Sequence, residues 1–383
     1  MLAVLKTFSF FIALMVFLLA PLHSFAKTKK TFKTITSVKN FTNKSVNRKK
    51  FNEILRGFVA CCRPTRMVSS SGHQKVVPYL TQLIKSMDPL GAGVLTVEKF
   101  NGDVNHAIKL YQDDFNIEVK AKYPVQDPFY KKWDGFTKNM ISILEKLRNY
   151  PGKNIIWEKK GSEINEVLII GAHFDTIAND KTSLMITPGV EQPGADDNGS
   201  GVAVALGLIS LLSKIDLKKT VRVIFWDFEE VGFLGSRAYV TQNLKKLKSE
   251  KIIGYVNLEM LGHDSRRLDK NKRQGNMKVY IRKSSEAGHQ MDNQLAQTLT
   301  KLGKKITNSV KFEIVANSFN ASDHISFWQE GFPALTFTQN WEDDFNQKRY
   351  HTSNDFVETL NLRTLYNSFR YIAGAVVAWS LNI

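Results

Sequence analysis

The sequence predicts an α/β fold: a single domain built as a three-layer sandwich, with a mixed central β-sheet and helices on both faces. Two observations carry that expectation. From Asn154 onward, short apolar segments rich in Val, Ile and Phe alternate with helical stretches, as in a parallel or mixed sheet covered on both sides. No internal repeat divides the 383 residues, and loops of ordinary length join the elements. An apolar share of 43% leaves enough material for a large core, which excludes a disordered or fibrous chain.

The elements follow in chain order. Met1–Ala26 reads as a secretory signal peptide. Lys6 precedes an apolar run from Phe8 to Leu19, and Ser24-Phe25-Ala26 puts small residues before a cut after Ala26. The alternative, an uncleaved anchor, would need a span of ~20 apolar residues, and this run is short for that. Residues 27–49 read as a basic, flexible tail. Nine lysines and arginines fall between Lys27 and Lys50 with no acid among them. That tail accounts for much of the formal net charge of +17. No base-recognition motif accompanies it, so a solvated tail or loose envelope contact is expected and a nucleic-acid partner is not. The domain proper then covers 50–383.

Within it, "KFNEILRGFVAC" from Lys50 and "GHQKVVPYLTQLIKSM" from Gly72 read as helices, and "GVLTVEKF" as a strand. Residues 101–150 are polar, carry two prolines and end in the helical "FTKNMISILEKLRNY"; they read as an insertion or lid. "NIIWEKKG" and "EVLIIGAHFD" are strands, and the apolar run after Gly199 is a buried helix. "TVRVIFWDFEE" is a strand and "GSRAYVTQNLKKLK" a helix. "IIGYVNLEM" and "MKVYIRK" are strands, "HQMDNQLAQTLTKLG" a helix and "PALTFTQ" a strand. A last helix runs from about Leu360. Its apolar end from Tyr371 reads as core, so no stable membrane anchor is expected after leader cleavage. Cys61 and Cys62 are the only cysteines and are adjacent. A bridge between neighbours closes almost no loop, and two buried thiols at a helix end are an equal reading.

Functional residues in such a sheet gather at the carboxyl ends of strands. "GAHFDT" places His173 and Asp175 there, and "GADDNGSG" places Asp196 and Asp197 ahead of the buried helix. "VIFWDFEE" ends in Glu229 and Glu230, "NLEM" brings Glu259, and "YHTSND" brings His351. Each alone reads as a surface histidine, a capping acid or a solvated turn. Together they would concentrate negative charge in one place, which calls for a cation. Imidazole nitrogens with carboxylate oxygens, and no thiolate, suit zinc, and less specifically manganese or cobalt.

The order "GAHFDT", "PGADDNGSG", "FWDFEEVGFLGS", "NLEMLG", "SDH", "YHTSND" resembles the secreted bacterial zinc aminopeptidases of the leucyl aminopeptidase family. Their superfamily includes glutaminyl cyclases and the glutamate carboxypeptidase type. The resemblance runs from about Gly72 to the C-terminus, interrupted by 101–150. It implies a zinc-exopeptidase-like sandwich with two Zn2+ per chain. Asp196 would bridge the metals, and Asp197 would shape the backbone. His173 and Glu259 would complete one site, Glu230 and His351 the other. Asp175 would orient the His173 ring, and Glu229 would be the general base. Glu259 stands where the family more often has Asp. In "SDH", Asp323 is a candidate substrate contact, while Ser322 reads equally well as a helix cap. The implied function is metal-dependent removal of N-terminal residues from peptides by an exported, secreted or periplasmic monomer. Two alternatives stay open: a glutaminyl-peptide cyclotransferase needing one zinc at Asp196, Glu230 and His351, and a catalytically silent binding module on the same scaffold.

Overall fold

The structure, a computed structural model, describes residues 32–265 and 276–383. In chain order it contains α1 (Ile35–Ser45), α2 (Arg48–Cys61), α3 (Ser71–Met87), β1 (Val94–Phe100), α4 (Val104–Asp114) and α5 (Pro128–Lys146). Then follow β2 (Gly152–Lys159), β3 (Ile164–His173), α6 (Gly201–Leu212), β4 (Lys219–Trp226), α7 (Leu234–Gln242), α8 (Leu244–Ser249) and β5 (Ile252–Leu258). The chain closes with β6 (Asn276–Ile281), α9 (His289–Ile306), β7 (Lys311–Ala316), α10 (His324–Gln329), β8 (Ala334–Thr338) and α11 (Leu362–Ser380).

The strands form one mixed sheet in the order β1-β2-β4-β3-β5-β8-β6-β7. Its centre, β4-β3-β5-β8, is parallel throughout, with Gly171 aligned to Ile224 on one side and Asn257 on the other. The carboxyl ends of these four neighbours therefore open on one edge. Alternation along β3 divides its side chains between two layers. Leu168, Ile170 and Ala172 face a core shared with α6 and α11, while Val167 and Ile169 face a smaller core with Tyr239 and Phe327.

The first layer explains the run after Gly199. Every residue of α6 is buried, so a helix apolar on all sides is what its surroundings require. Gly207 is needed there because a Cβ would come within 2.6 Å of the Phe369 ring on α11. Truncating a residue such as Leu208 in this layer would cost about 2–5 kcal/mol.

Three expectations change. Residues 35–49 are not a flexible tail: α1 buries Val38 and Phe41 against the body, packing on α9 and α11. Arg370 Nε donates to Asn43 Oδ1 at 2.6 Å and Tyr366 Oη to the Val46 carbonyl at 3.1 Å. Ile35, Val38 and Phe41 have helical spacing, but the surrounding lysines and threonines hide it. The folded unit thus begins before residue 50. The second change is β7, a six-residue edge strand whose alternate residues are exposed, so its apolar signal is weak. The third resolves a choice left open between two thiols and a bridge: Cys61 and Cys62 form a disulfide at the end of α2.

Residues 101–150 form α4, a wide turn and α5. Val104, Ala107, Met140 and Leu144 pack on Phe228, Val231 and Leu234, the segment that follows β4. The insertion thus roofs the turn that carries Glu229 and Glu230. No helix among the described residues is long and apolar enough to cross a membrane. The expected leader lies outside the described residues.

Candidate metal centre

His173 ends β3, with only 1% of its surface exposed. Its Nε2 lies 3.3 Å from Asp197 Oδ1, 3.3 Å from Glu259 Oε1 and 3.9 Å from Glu229 Oε2. Asp197 Oδ2 lies 3.3 Å from His351 Nε2, which in turn is 3.0 Å from Glu230 Oε2. The strand ends thus bring together His173, Asp197, Glu229, Glu230, Glu259 and His351, as the sequence led one to expect with one exception.

The exception is Asp196. Its Oδ1 accepts the Gly262 N–H at 2.7 Å and its Oδ2 accepts Asn346 Nδ2 at 2.8 Å. It is spent on hydrogen bonds, and Asp197 takes the place between the imidazoles. The reason is local. The chain enters the turn at Gly194 in the left-handed region (φ 54°) and leaves helical geometry at Asp197 (φ −105°, ψ 97°) and Asn198 (φ −119°, ψ 44°). Two adjacent acids in a sequence do not reveal which of them such a turn will aim inward.

Other residues hold the turn. Asp355, at the end of the "YHTSND" stretch, accepts the backbone N–H groups of Asp196 and Asp197. Asn198 Nδ2 donates to the Leu258 carbonyl at 2.8 Å. Arg66 is buried behind the turn and donates to the carbonyls of Phe174, Pro193 and Gly194 at 2.7, 2.6 and 2.9 Å. Its guanidinium stacks over Phe58 and supplies a positive charge near Asp355 and Asp197. Of the two arginines in "CCRPTRM", nothing in the sequence singles out Arg66 for that role. Asp355 sat inside a recognised stretch, but nothing there pointed to a backbone clamp.

Asp175 serves the neighbouring turn. Its two oxygens accept the N–H groups of Glu229 and Glu230, each at 3.1 Å. Its Oδ1 also faces His173 Nδ1 at 3.6 Å, longer than a hydrogen bond. Glu259, despite its extra methylene, reaches the centre and is held by Ser322, whose Oγ donates to Oε2 at 2.7 Å. Ser322 therefore aligns a carboxylate, and it does not cap α10. Asp323 is fully buried near Glu229 and Glu259, and neither of its oxygens has a hydrogen-bond partner of good geometry.

The charges are strongly coupled. Burial favours the neutral form of Asp197, but the two imidazoles outweigh it and hold this carboxyl well below its usual range. Burial likewise opposes charge on His351, yet Glu230 and Asp197 carry it up to about 10. Glu230 is pushed up to about 7 by burial and by Asp197, and Glu229 well above the ordinary range by burial, with Glu259 and Asp323 adding to it. So many buried acids around two imidazoles are the signature of a site that a cation completes. Two triads have ligand atoms close enough to share an ion: His173, Asp197 and Glu230, and His173, Glu229 and Glu259. Asp197 Oδ2 and His173 Nδ1 have no hydrogen-bond partner. An all-nitrogen-and-oxygen donor set of this kind fits zinc.

Residues 154–376 match the model of peptidase family M28. An aminopeptidase of Pseudomonas aeruginosa is 37% identical over 120 residues, 31% of this chain and 19% of that protein. Aminopeptidase YwaD of Bacillus subtilis is 27% identical over 257 residues, 64% of this chain and 50% of that protein. The chain spans about a fifth of the length of the first curated relatives it matches. The structure of BSAP, a zinc aminopeptidase from Bacillus subtilis, superposes with a TM-score of 0.58 at 18% identity, covering 86% of this chain and 94% of that one. At that identity the likeness concerns the fold.

Proposed function

This chain belongs to peptidase family M28, and from that premise we propose that it is an exported zinc aminopeptidase working with two metal ions. One observation carries the reading. The two oxygens of Asp197 face different imidazoles, His173 and His351, each at 3.3 Å. His173 and Glu259 would hold one ion, Glu230 and His351 the other, with Asp197 between them. When bound, paired zinc ions lower the pKa of water and polarise a peptide carbonyl.

The remaining work falls to the protein's own groups. Glu229 is the base: its carboxylate takes the proton of the attacking water and returns it to the departing amine. Asp175 fixes the base by binding the backbone N–H groups of Glu229 and Glu230. Ser322 fixes Glu259 from behind. The roof of α4 and α5 over this turn limits water near the base. A single-zinc cyclase would need only Asp197, Glu230 and His351. The presence of His173 and Glu259 at 3.3 Å from one another favours the two-metal peptidase.

The test is zinc analysis of purified protein together with turnover of aminoacyl-anilides, unblocked peptides and a glutamine-initiated peptide. Two zinc ions per chain and release of N-terminal residues are expected. One zinc at full activity, with ammonia release from the glutamine peptide, would establish the cyclase reading instead.

A further inference from the structure

A cavity of about 340 Å³ lies beside the turn that follows Glu229 and Glu230. Its walls come from α4, from α10 and from the turn after Glu230. Gly232 and Phe233 line it, and both donate backbone N–H groups to the Glu229 carbonyl, at 3.1 and 2.9 Å. Tyr111 lines it too, and its hydroxyl donates to the Glu230 carbonyl at 3.3 Å. The cavity is therefore separated from the Glu229 turn by one layer of residues. His351 faces the Asp197 oxygen turned away from His173 and stacks on the Tyr350 ring, which packs in turn with Phe345 and Trp341.

That asymmetry orients a substrate. If Glu229 returns a proton to the departing amine, the amine nitrogen must come within hydrogen-bonding reach of its carboxylate. The residue after the scissile bond then emerges on the Glu229 side, where this cavity lies. Leu110, Tyr111, Phe233 and Ile325 give it apolar walls. Arg237 stands at its edge, where one guanidinium N–H donates to Gln329 Oε1 at 2.8 Å. Among the described residues no carboxylate lies within ion-pair distance of Arg237. Asp114 lies on the same lining, and burial with Asp113 and Glu118 raises its carboxyl above the usual range.

We propose that this cavity receives the leaving portion of a short peptide, with a bulky apolar side chain after the scissile bond against Leu110, Phe233 and Ile325 and the peptide's terminal carboxylate on Arg237. The proposal rests on the aminopeptidase reading and adds to it a substrate class: dipeptides and other very short peptides with an apolar second residue. Two of the walls, Leu110 and Tyr111, belong to the inserted helix α4, so the preference is a property of this chain's own insertion.

The experiment compares kcat/KM of the zinc-loaded protein on Leu-Phe, Leu-Gly and Leu-Phe-amide. Leu-Phe should exceed Leu-Gly by at least about tenfold, the range that hydrophobic pockets deliver. Leu110→Trp, which fills the cavity from a half-buried position, should remove most of that preference while changing Leu-Gly less than about threefold. Arg237→Gln should lower the ratio of Leu-Phe to Leu-Phe-amide by about tenfold, the loss expected for one charge-assisted contact. Equal rates on Leu-Phe and Leu-Gly, or ratios untouched by both substitutions, would overturn the proposal. Calorimetry on Glu229→Gln separates it from the reading beneath it. Tighter binding of Leu-Phe than Leu-Gly there, with no turnover by the native protein, would retain the pocket and remove the aminopeptidase. Normal turnover with equal binding would do the reverse.

Discussion

The Asp355 carboxylate accepts the backbone N–H of Asp197 at 3.0 Å, and with it the N–H of Asp196. This buried contact joins the loop after His351 to the turn that supplies the central acid. Burial and the charge of Asp196 push the Asp355 carboxyl well above its usual range, so the contact is made against an electrostatic cost. The two amide groups need an acceptor more than they need a charge.

Asp355→Ala should therefore destabilise the protein by about 2–5 kcal/mol, because two buried N–H groups lose their acceptor. Asp355→Asn should cost less, since its carbonyl oxygen still accepts and the repulsion with Asp196 is gone. Denaturant unfolding of both variants checks this. Equal losses would mean that the charge, and not the acceptor, is what the turn requires.

Asp196 and Asp197 should separate cleanly in metal binding. Asp197→Asn removes the carboxylate that faces both imidazoles, and zinc affinity should fall by about a hundredfold or more, at least as much as loss of an outer-sphere partner. Asp196→Asn keeps an acceptor for Gly262 and should retain its zinc, with some loss of stability from the weakened Asn346 contact. Competition against a chelator of known affinity measures both. The reverse ranking would restore Asp196 as the central ligand.

His324 should make the protein acid-sensitive. Burial depresses its pKa from 6.5 to about 4, outweighing the opposing effect of the Phe319 carbonyl, and Thr336 shares its other nitrogen at 2.8 Å. Between those two values the unfolded chain holds the extra proton and the folded one does not. Stability from the neutral ring is thus present above about pH 6.5 and is lost as the pH falls toward 4. The full loss is about 3 kcal/mol. His324→Gln should be less stable at neutral pH but show a flatter profile across that window. Urea unfolding at pH 7 and pH 4.5 compares the slopes, and parallel slopes would remove His324 as their cause.

The sequence made the sheet legible because its buried strands are apolar, and its helices were legible where one face or all faces are. It failed where signals are weak for physical reasons. In α1 the apolar stripe is thin among lysines, and β7 is a short edge strand with half its residues in water. At the candidate metal centre, residue types at strand ends and in one loop pointed to His173, Glu229, Glu230, Glu259 and His351, which the fold brings together. They were not enough to choose between Asp196 and Asp197, because that choice depends on the backbone path through a turn. Arg66 and Asp355 escaped for a related reason: both act on backbone groups that only the fold brings near them.

The two neighbouring glutamates provide the sharpest test of the proposed chemistry. Glu230 lies 3.0 Å from His351 and also accepts the Ile177 N–H at 3.2 Å, so its carboxylate is committed to a fixed position. Glu229 Oε2 is 3.9 Å from His173, farther than Asp197 or Glu259. That slack suits a group that must move a proton more than one that must bind an ion. Glu229→Gln should keep two zinc ions and the fold yet lose turnover by at least about a hundredfold, the usual contribution of a general base. Glu230→Gln should lose metal first, with activity following zinc occupancy and returning in part at high zinc. Single-turnover kinetics alongside zinc stoichiometry separates the cases. Near-native turnover by Glu229→Gln with metals bound would show that the base lies elsewhere. Loss of metal alone in both variants would make Glu229 a ligand, as its place in the triad with His173 and Glu259 allows.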